Sequence, residues 1–387
     1  MRFRNKQDPN LEDVTFNKSS RLRDGGAVNI VGVGFITVRG FTIQGAASGV
    51  HIRSGAHDNI VEKNSIFHGN HSVFIYGDKP RAPCHRNIVR NNKMTLNYIH
   101  DLSALHPLHA HIWDQFKLFS DTDRHGVYLL YAGDDNEVYD NEIYQHWDGV
   151  QDSAGGETRE EYATYCRRLK VYGNSILEMG DDALEPTGGE IDAEWHDNVC
   201  QNALINIRIK DIKTGPCYVY GNRFCTGPGE GGHGGGRDIY FFAGSDATVY
   251  LYHNSFASNS GLVMGSTTPE RGAPNTWFIN NIFSNATFWK TTPKWNFNAH
   301  AHANWCGGDA TLGGWLTGNN FVAPGVRLWD AKNPSFLLTA ESPVLGKGID
   351  LSKPTTLDGK TIGPMPGMKP GCFRGAKPDL GAIQFKQ

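Results

Sequence analysis

Three short segments in the middle of the chain share one pattern, in which a polar residue is followed by a small residue and then by an apolar one. They are His125-Gly-Val, Asp148-Gly-Val and Asp182-Ala-Leu. When they are aligned on the apolar residue, the three polar side chains fall in one column, and Arg208 and Lys210 follow one repeat later. Carboxylates stacked in this way repel one another unless a cation, an Arg or a Lys neutralises them. A protein seldom keeps such a costly cluster without a functional gain, so this column is the candidate reaction centre.

Two kinds of chemistry use these residue types. In the first, Asp148, Asp181 and Glu185 hold a Ca²⁺ ion, a hard cation that takes several oxygen ligands at about 2.3–2.6 Å. The cation binds a uronate carboxylate and acidifies its α-proton, Arg208 or Lys210 removes that proton, and the glycosidic bond breaks by β-elimination. In the second, two carboxylates act as acid and base on a neutral sugar, about 6.5–9.5 Å apart in an inverting enzyme. Carboxylates on adjacent repeats could meet that distance, so the spacing leaves both mechanisms open.

Other residues near the column complete the candidate site. Asp182 and Glu185 are the candidate acid and base, and His125 is added because it begins a strand at the same position. A His at the start of a strand is more often a satisfied turn residue, and Arg208 and Lys210 could simply neutralise an acidic rim. The residues expected to contact the substrate are Gln151, Asp152, Trp113, Tyr128 and Trp147.

A repeat runs through most of the chain and would position this column. Segments such as VYGNSI and VYGNRF place one apolar residue three positions before an Asn and another two positions after it. In the cleanest part of the chain, Asn174, Asn198 and Asn222 follow one another at intervals of 24 residues. A unit of this length holds three short strands and three turns, and it buries its apolar face only against the next unit. The pattern predicts an all-β solenoid with the Asn side chains in a structural role, each in a left-handed turn and bonded to the neighbouring coil.

The same pattern predicts the core and the extent of the domain. The apolar residues two positions after Asn, among them Ile143, Ile176, Cys200 and Phe224, should stack as an internal column. We expect a single domain, with coils over about residues 25–325 and a tail over about 326–387 laid back along them. Residues 101–123 form an inserted loop rich in His and aromatic residues, and this loop is expected to form one wall of the groove.

The repeat resembles the pectin-lyase-like superfamily of right-handed parallel β-helices over about residues 25–325. The ending Lys377-Pro-Asp379-Leu-Gly381-Ala is similar to the endings of many bacterial and fungal members. The resemblance implies a right-handed parallel β-helix that acts on a polysaccharide in the groove along its length.

Two families within this superfamily have motifs similar to the candidate column. Family nine pectate lyases carry an Asp on one coil, an Asp-Asp-Gly-Phe-Asp run on the next and a Lys base later. Asp148, Asp181-Asp182-Ala-Leu-Glu185 and Arg208 or Lys210 look similar, although Ala-Leu replaces Gly-Phe and Glu replaces the last Asp. Polygalacturonases use Asp-Gly, Asp-Asp, His-Gly and Arg-Ile-Lys motifs, but here the His-Gly precedes the carboxylates. The resemblance favours a Ca²⁺-dependent polysaccharide lyase, with an inverting glycoside hydrolase as the alternative.

Composition limits the partners and the location. The net charge is −3, which gives no reason to expect nucleic acid or an anionic membrane surface as partner. No apolar stretch approaches the roughly 20 residues that span a bilayer. The start of the chain lacks the apolar core of a signal peptide, so a leader is expected to be absent or already removed from a secreted or periplasmic protein. We expect a monomer whose partner is a polysaccharide.

A non-catalytic carbohydrate-binding β-helix is a rival class. Such a protein would present aromatic platforms, for which Trp113, Trp147, Tyr128 and Tyr131 are candidates, and would use the acids only as hydrogen-bond acceptors. The acidic cluster beside Arg208 favours an enzyme.

Overall fold

The structure is a computed structural model, and it describes most of the repeat and most of the tail. The described residues are 25–67, 69–77, 82–96, 124–153, 165–210, 212–225, 237–242, 247–257, 275–284, 299–306, 320–322, 338, 340–382 and 384. Within these ranges the chain forms strands and turns, and no helix is long and apolar enough to cross a membrane.

The strands stack in parallel into three long sheets. Between residues 26 and 256 the described chain visits sheets 1, 2 and 3 in turn, and the fold is a right-handed parallel β-helix, as predicted. Sheet 1 contains β1 (Gly26–Val31), β4 (Ser48–Arg53), β7 (His71–Tyr76), β10 (His125–Leu130), β13 (Asp148–Ser153), β16 (Asp182–Glu185), β19 (Ile205–Lys210) and β22 (Arg237–Phe242). Sheet 2 contains β2 (Thr37–Arg39), β5 (Ile60–Glu62), β8 (Ile88–Arg90), β11 (Glu137–Tyr139), β14 (Lys170–Tyr172), β17 (Ala193–His196), β20 (Cys217–Tyr220), β23 (Val249–Tyr252), β25 (Thr276–Ile279) and β27 (Ala299–His302). Sheet 3 contains β3 (Thr42–Gln44), β6 (Ser65–Phe67), β9 (Lys93–Thr95), β12 (Glu142–Tyr144), β15 (Ser175–Leu177), β18 (Val199–Gln201), β21 (Arg223–Cys225), β24 (Ser255–Phe256), β26 (Ile282–Phe283), β28 (Trp305–Cys306) and β29 (Phe321–Val322).

The repeated Asn residues form a buried ladder at the turn between sheets 2 and 3. The backbone N and the side-chain Nδ2 of Asn174 both donate to Oδ1 of Asn198, at 3.1 and 3.0 Å. Asn198 makes the same pair of bonds to Asn222. The bonding of neighbouring coils is therefore confirmed. The prediction of a left-handed backbone at Asn is wrong by one residue, because the positive φ belongs to the residue before it, such as Gly173 or Asp197.

The predicted internal column is confirmed. Ile143, Ile176, Cys200 and Phe224 pair in register along sheet 3, and all four are buried. Because these apolar side chains are buried on successive coils, each coil packs on the next one without water between them. All seven cysteines are present as thiols, and six of them are buried.

The described part of the tail packs against sheets 2 and 3. Its hairpin joins β30 (Thr355–Leu357) and β31 (Lys360–Ile362) through a two-residue Asp-Gly turn. One apolar cluster joins tail residues to sheet 2, and another joins Val344 and Leu380 to Ile282 and Trp305 of sheet 3. These tail contacts involve sheets 2 and 3, whereas the candidate reaction centre lies on sheet 1.

Candidate functional site

A bend in the long strands of sheet 1 decides which side chains face outward. The ladder pairs the first and third residues of β10 and β13 but skips the second. Gly126, the second residue of β10, points inward, because a Cβ there would lie 2.5 Å from Ile143 Cγ2 in the core. Val127 is also buried inside. His125 and Tyr128 lie on either side of this inward pair, so both face outward, and their rings stack with centroids 4.2 Å apart.

The bend brings the predicted carboxylates together on the outer face. One oxygen from each of Asp148, Asp181 and Asp182 lies within 4.8 Å of the others. The backbone N of Asp182 donates to Asp148 Oδ1 at 3.1 Å, and His125 Nε2 lies 3.3 Å from Asp148 Oδ2. The predicted register of His125, Asp148 and Asp182 is therefore confirmed. All three Asp side chains are buried, so their mutual repulsion is little screened by water.

Two cations on β19 contact this acidic cluster. Arg208 Nη2 donates to Asp181 Oδ1 at 2.9 Å, and Arg208 Nε lies 2.9 Å from Asp182 Oδ2. The contact between Arg208 Nε and Asp182 Oδ2 is an ion contact that lacks the alignment of a hydrogen bond. Both carboxylate oxygens of Asp182 are buried, and they accept no hydrogen bond from the described residues. Lys210 Nζ lies 3.4 Å from Glu185 Oε1. The side chain of Lys210 is 32% exposed, against 16% for Arg208, so the site opens toward solvent on the Lys210 side.

Burial and crowding set the protonation states. Burial raises the pKa of Asp182 well above its usual range, and the Arg208 guanidinium offsets only part of this effect. Burial also raises the pKa of Glu185, against the attraction of Arg208 and Lys210. For Arg208, burial disfavours the charged form, but the surrounding carboxylates outweigh it and raise the pKa of the guanidinium further. The surrounding carboxylates therefore favour the charged form of Arg208, in which it pairs with Asp181 and Asp182, and its role as a base stays a prediction.

Two imidazoles border the cluster on its N-terminal side. His71 pairs in register with His125, and their Nδ1 atoms lie 3.1 Å apart. Burial, helped by the neighbouring His125, lowers the pKa of His71 well below its usual value. His71 was missed from sequence, although the segment His71-Ser-Val matches the pattern of His125-Gly-Val and would have found it. Gln151 Oε1 makes a short contact with His125 Nε2, which brings Gln151 and Tyr128 to the site.

The structure does not place Asp152, Trp147 or Trp113, three of the predicted substrate contacts, in the groove. Asp152 pairs in register with Leu129, and its carboxylate is fully buried and accepts a hydrogen bond from the backbone N of Thr187 at 2.6 Å. It faces the interior, so its prediction as a groove residue is wrong. Trp147 is fully buried next to β13, so it offers no exposed platform for a sugar. Trp113 and the predicted loop wall over residues 101–123 lie outside the described residues.

A family model described as periplasmic copper-binding protein (NosD) matches residues 6–222, which is more than half of the chain. The chain belongs to the NosD family. The matched range includes the whole carboxylate cluster and the cations of β19. No curated protein matches the chain significantly.

Among solved structures, this NosD-family chain is similar to that of XylC in its complex with xylose. The TM-score is 0.51 and the sequence identity is 12%, over 76% of this chain and 53% of that one. The NosD-family chain therefore spans about half the length of this neighbour. At this identity the likeness supports the β-helix fold.

The donor atoms of the cluster fit a hard cation. Carboxylate oxygens are the ligands that Ca²⁺ and Mg²⁺ prefer, whereas copper prefers imidazole nitrogen and sulfur. Asp148, Asp181 and Asp182 converge, whereas Glu185 of the predicted ligand set contacts Lys210 instead. These three Asp residues thus fit Ca²⁺ and do not fit the copper for which the NosD family is named.

Proposed function

We propose that this protein is a polysaccharide lyase that cleaves a uronate-containing glycan by β-elimination at the carboxylate cluster on sheet 1. The observation that carries the proposal is the convergence of Asp148, Asp181 and Asp182 within 4.8 Å, with Asp181 and Asp182 one coil before the cations Arg208 and Lys210. Asp182 accepts no hydrogen bond from the described residues and has Arg208 as its ion contact, so a proton or a further cation would complete the neutralisation of this group of carboxylates.

The three Asp residues would hold a Ca²⁺ ion, which supplies a charge that binds the uronate carboxylate and acidifies the neighbouring C–H bond. Arg208 keeps Asp181 and Asp182 in place through its two ion contacts. Lys210 lies on the same outer face of β19 and is the more exposed of the two cations, so it is the better base. Its deprotonated amine would take the α-proton and become an ammonium group. The bond from the sugar carbon to the leaving glycosidic oxygen would break, that oxygen would take up a proton from water, and the new chain end would carry a C=C double bond.

Two comparisons support the setting of this proposal. The NosD family model is described as a periplasmic protein, which supports a location outside the cytoplasm. A polysaccharide substrate would be accessible there. The XylC structure contains a bound sugar, xylose, and that supports a carbohydrate ligand only through likeness of fold.

The test is an assay on a panel of uronate polymers and neutral glycans that follows both the ultraviolet absorbance of an unsaturated product and the release of reducing ends. EDTA should abolish activity, Ca²⁺ should restore it, and the rate should rise with pH because an amine is a base only when deprotonated. We expect Lys210→Ala to lower kcat by at least about 100-fold, the usual contribution of an acid–base group. Lys170→Ala is the matched control, because Lys170 pairs with Glu194 on the outer face of sheet 2, away from the site.

Acid–base hydrolysis is a second candidate, and the raised pKa of Asp182 favours it. A buried carboxyl that keeps its proton at neutral pH can protonate a leaving glycosidic oxygen. One oxygen from each of Asp148, Asp181 and Asp182 lies within 4.8 Å of the others, closer than the roughly 6.5–9.5 Å between the carboxyls of inverting enzymes. The proposed inverting pair is therefore Asp182 with Glu185, which lies outside this group of three. Activity on a neutral glycan that ignores EDTA, shows no unsaturated product and vanishes in Asp182→Asn would replace the lyase with this hydrolase.

A further inference from the structure

A cavity of about 190 Å³ lies between the tail and the turn that joins sheets 2 and 3. Its floor contains Asp197, Gly221 and His253, which hold the same turn position on successive coils, one residue before a ladder Asn. All three have a positive φ. A Cβ on Gly221 would lie only 2.4 Å from Asp197 Oδ1, so this position takes glycine. The middle coil therefore places no side chain there, which leaves room beneath the tail.

The walls of the cavity are mostly apolar. The tail contributes four apolar side chains to them, those of Leu351, Met368, Phe373 and Pro378. Cys372 also lines the cavity and is exposed, so solvent reaches the cavity beside this residue. An apolar cavity of about 150 Å³ in another protein is large enough to bind benzene. The space between the tail and the coils can therefore hold a six-membered ring with a substituent.

His253 has a hydrogen-bond donor that the described residues leave unused. Its Nε2 lies 2.9 Å from Asn280 Nδ2. The orientation of that amide is fixed, because its Oδ1 accepts from the N of Ile349 and its Nδ2 donates to the carbonyl of Ile349, both at 2.8 Å. His253 Nε2 is therefore an acceptor, and the ring proton lies on Nδ1. This Nδ1 is buried and has no hydrogen-bond partner among the described residues.

The charges around the cavity favour an uncharged ligand over an anion. Burial lowers the pKa of His253 to about 4, against smaller opposing effects of the Gly381 backbone and Asp379, so the imidazole is neutral at pH 7. The carboxylate of Asp197 contacts His196 Nδ1 at 2.8 Å, and its side chain is 64% exposed. The described residues that line the cavity include no Lys or Arg. A bound anion would therefore face a carboxylate without a permanent cation to offset it.

We propose that this cavity binds a small, uncharged and largely apolar ring compound that carries a hydrogen-bond acceptor for His253. Contact of the ring with Leu351, Met368 and Phe373 removes apolar surface from water, and one polar contact fixes its orientation, as in most small-molecule sites. The cavity is separate from the carboxylate cluster on sheet 1, so the proposal does not depend on the proposed activity.

The bound compound would also hold the tail against the coils. The cavity has one wall from the tail and one from the solenoid, so the unfolded chain does not form it. A ligand that binds only the folded chain stabilises it by mass action, and Tm rises with the ligand concentration.

The test uses phenol as the probe and the thiol of Cys372 as the reporter. Phenol is uncharged at neutral pH, because phenolic hydroxyls titrate at about pH 10. Cys372 is exposed and the other six cysteines are buried, so a thiol reagent modifies the folded full-length chain at Cys372. At ten times its Kd, phenol should slow this modification about tenfold, because only chains without ligand react. Benzoate, an anion of similar size, and glucose, an uncharged but polar ring, should leave the rate unchanged.

Matched variants test the location of the site. Met368→Trp fills the cavity and should abolish protection by phenol, whereas Leu345→Trp enlarges another half-buried tail residue, which packs in a different apolar cluster, and should keep it. His253→Phe retains a ring but removes the donor, so phenol should bind at least about fivefold more weakly, the usual effect of one hydrogen bond. Cys372→Ser should still show the rise in Tm with phenol.

Three results would overturn the proposal. The first is a wild-type rate that phenol slows no more than benzoate does. The second is a folded Met368→Trp variant that phenol still protects. The third is protection by glucose in place of phenol, which would contradict the apolar class of the ligand.

Discussion

Asp238 is a buried carboxyl whose protonation should control stability. It is the second residue of β22, the inward position at the bend, and only 1% of it is exposed. Its Oδ1 accepts a hydrogen bond from Asn206 Nδ2 at 2.8 Å. Burial raises its pKa from 3.8 to about 8, against the opposing effect of this hydrogen bond. At neutral pH the folded protein therefore keeps a proton here that the unfolded chain releases.

The sign of the pH dependence follows from this difference. Below pH 4 both states are protonated and the carboxyl costs nothing, whereas between about pH 4 and pH 8 stability falls as the unfolded chain loses its proton. We predict that Asp238→Asn, which keeps the acceptor oxygen, has an unfolding midpoint near the wild type at pH 4 and a higher one at pH 8. The gain in unfolding free energy should be at most about 1.4 kcal/mol per pH unit over this range. Denaturation curves at both pH values measure it, and an equal shift at both would contradict the role of the proton.

At the scale of the strand, the bend at the second residue decides what the sequence could predict. The spacing of Asn and apolar residues predicted the coils and the register of Asp148 with Asp182, because both follow from stacking equal units. A strand with regular alternation would put Asp148 and Asp152 on one face. The inward pair Gly149 and Val150 breaks the alternation, so Asp148 faces out and Asp152 faces in.

The contacts of the site depend on geometry that no spacing encodes. The ion contacts of Arg208 with Asp181 and Asp182 depend on side-chain direction across two coils. The meeting of His300 with Asp358 joins residues 58 positions apart through the folded tail. Neither set of contacts could be predicted from the repeat, because contacts between distant parts of the chain depend on the shape and packing of the folded protein.

The Asn ladder is the element that should be most sensitive to substitution. We predict that Asn198→Ala lowers the unfolding free energy by about 2–4 kcal/mol, because the N and Nδ2 of Asn174 lose their acceptor inside the core. Asn198→Asp should cost at least as much, since a carboxylate cannot donate to Asn222 Oδ1 or to Val171 O. Chemical denaturation followed by circular dichroism measures both.

The control for the ladder is Asn29. Its side chain makes only local bonds, to the backbone of Gly26, and these are exposed. We expect Asn29→Ala to change the unfolding free energy by less than about 1 kcal/mol. Equal losses at Asn29 and Asn198 would mean that the ladder contributes no more than an exposed turn.

At the scale of the whole molecule, Asn280 connects the tail to the solenoid. Its Nδ2 donates to the carbonyl of Ile349 and its Oδ1 accepts from the N of Ile349, both at 2.8 Å. Its own carbonyl accepts from the N of Gly381 at 2.8 Å. The tail covers large aromatic residues of sheet 2, including Trp277, which is only 1% exposed. Loss of this attachment should therefore uncover apolar surface far from the carboxylate cluster.

Asn280 has a φ of 59°, so glycine can replace it without backbone strain while removing the side chain with its amide. We predict that Asn280→Gly speeds limited proteolysis in residues 341–387 and increases the solvent quenching of tryptophan fluorescence, because Ile349 loses two hydrogen bonds worth about 2–4 kcal/mol together. Asn91→Gly is the matched control: Asn91 occupies the same turn position before a ladder Asn, with a φ of 54°, but is exposed. It should leave both signals unchanged.

Because the tail packs on sheets 2 and 3, Asn280→Gly should also leave activity at the sheet 1 cluster intact. A loss of activity equal to that of Lys210→Ala would show that the tail and the site are coupled.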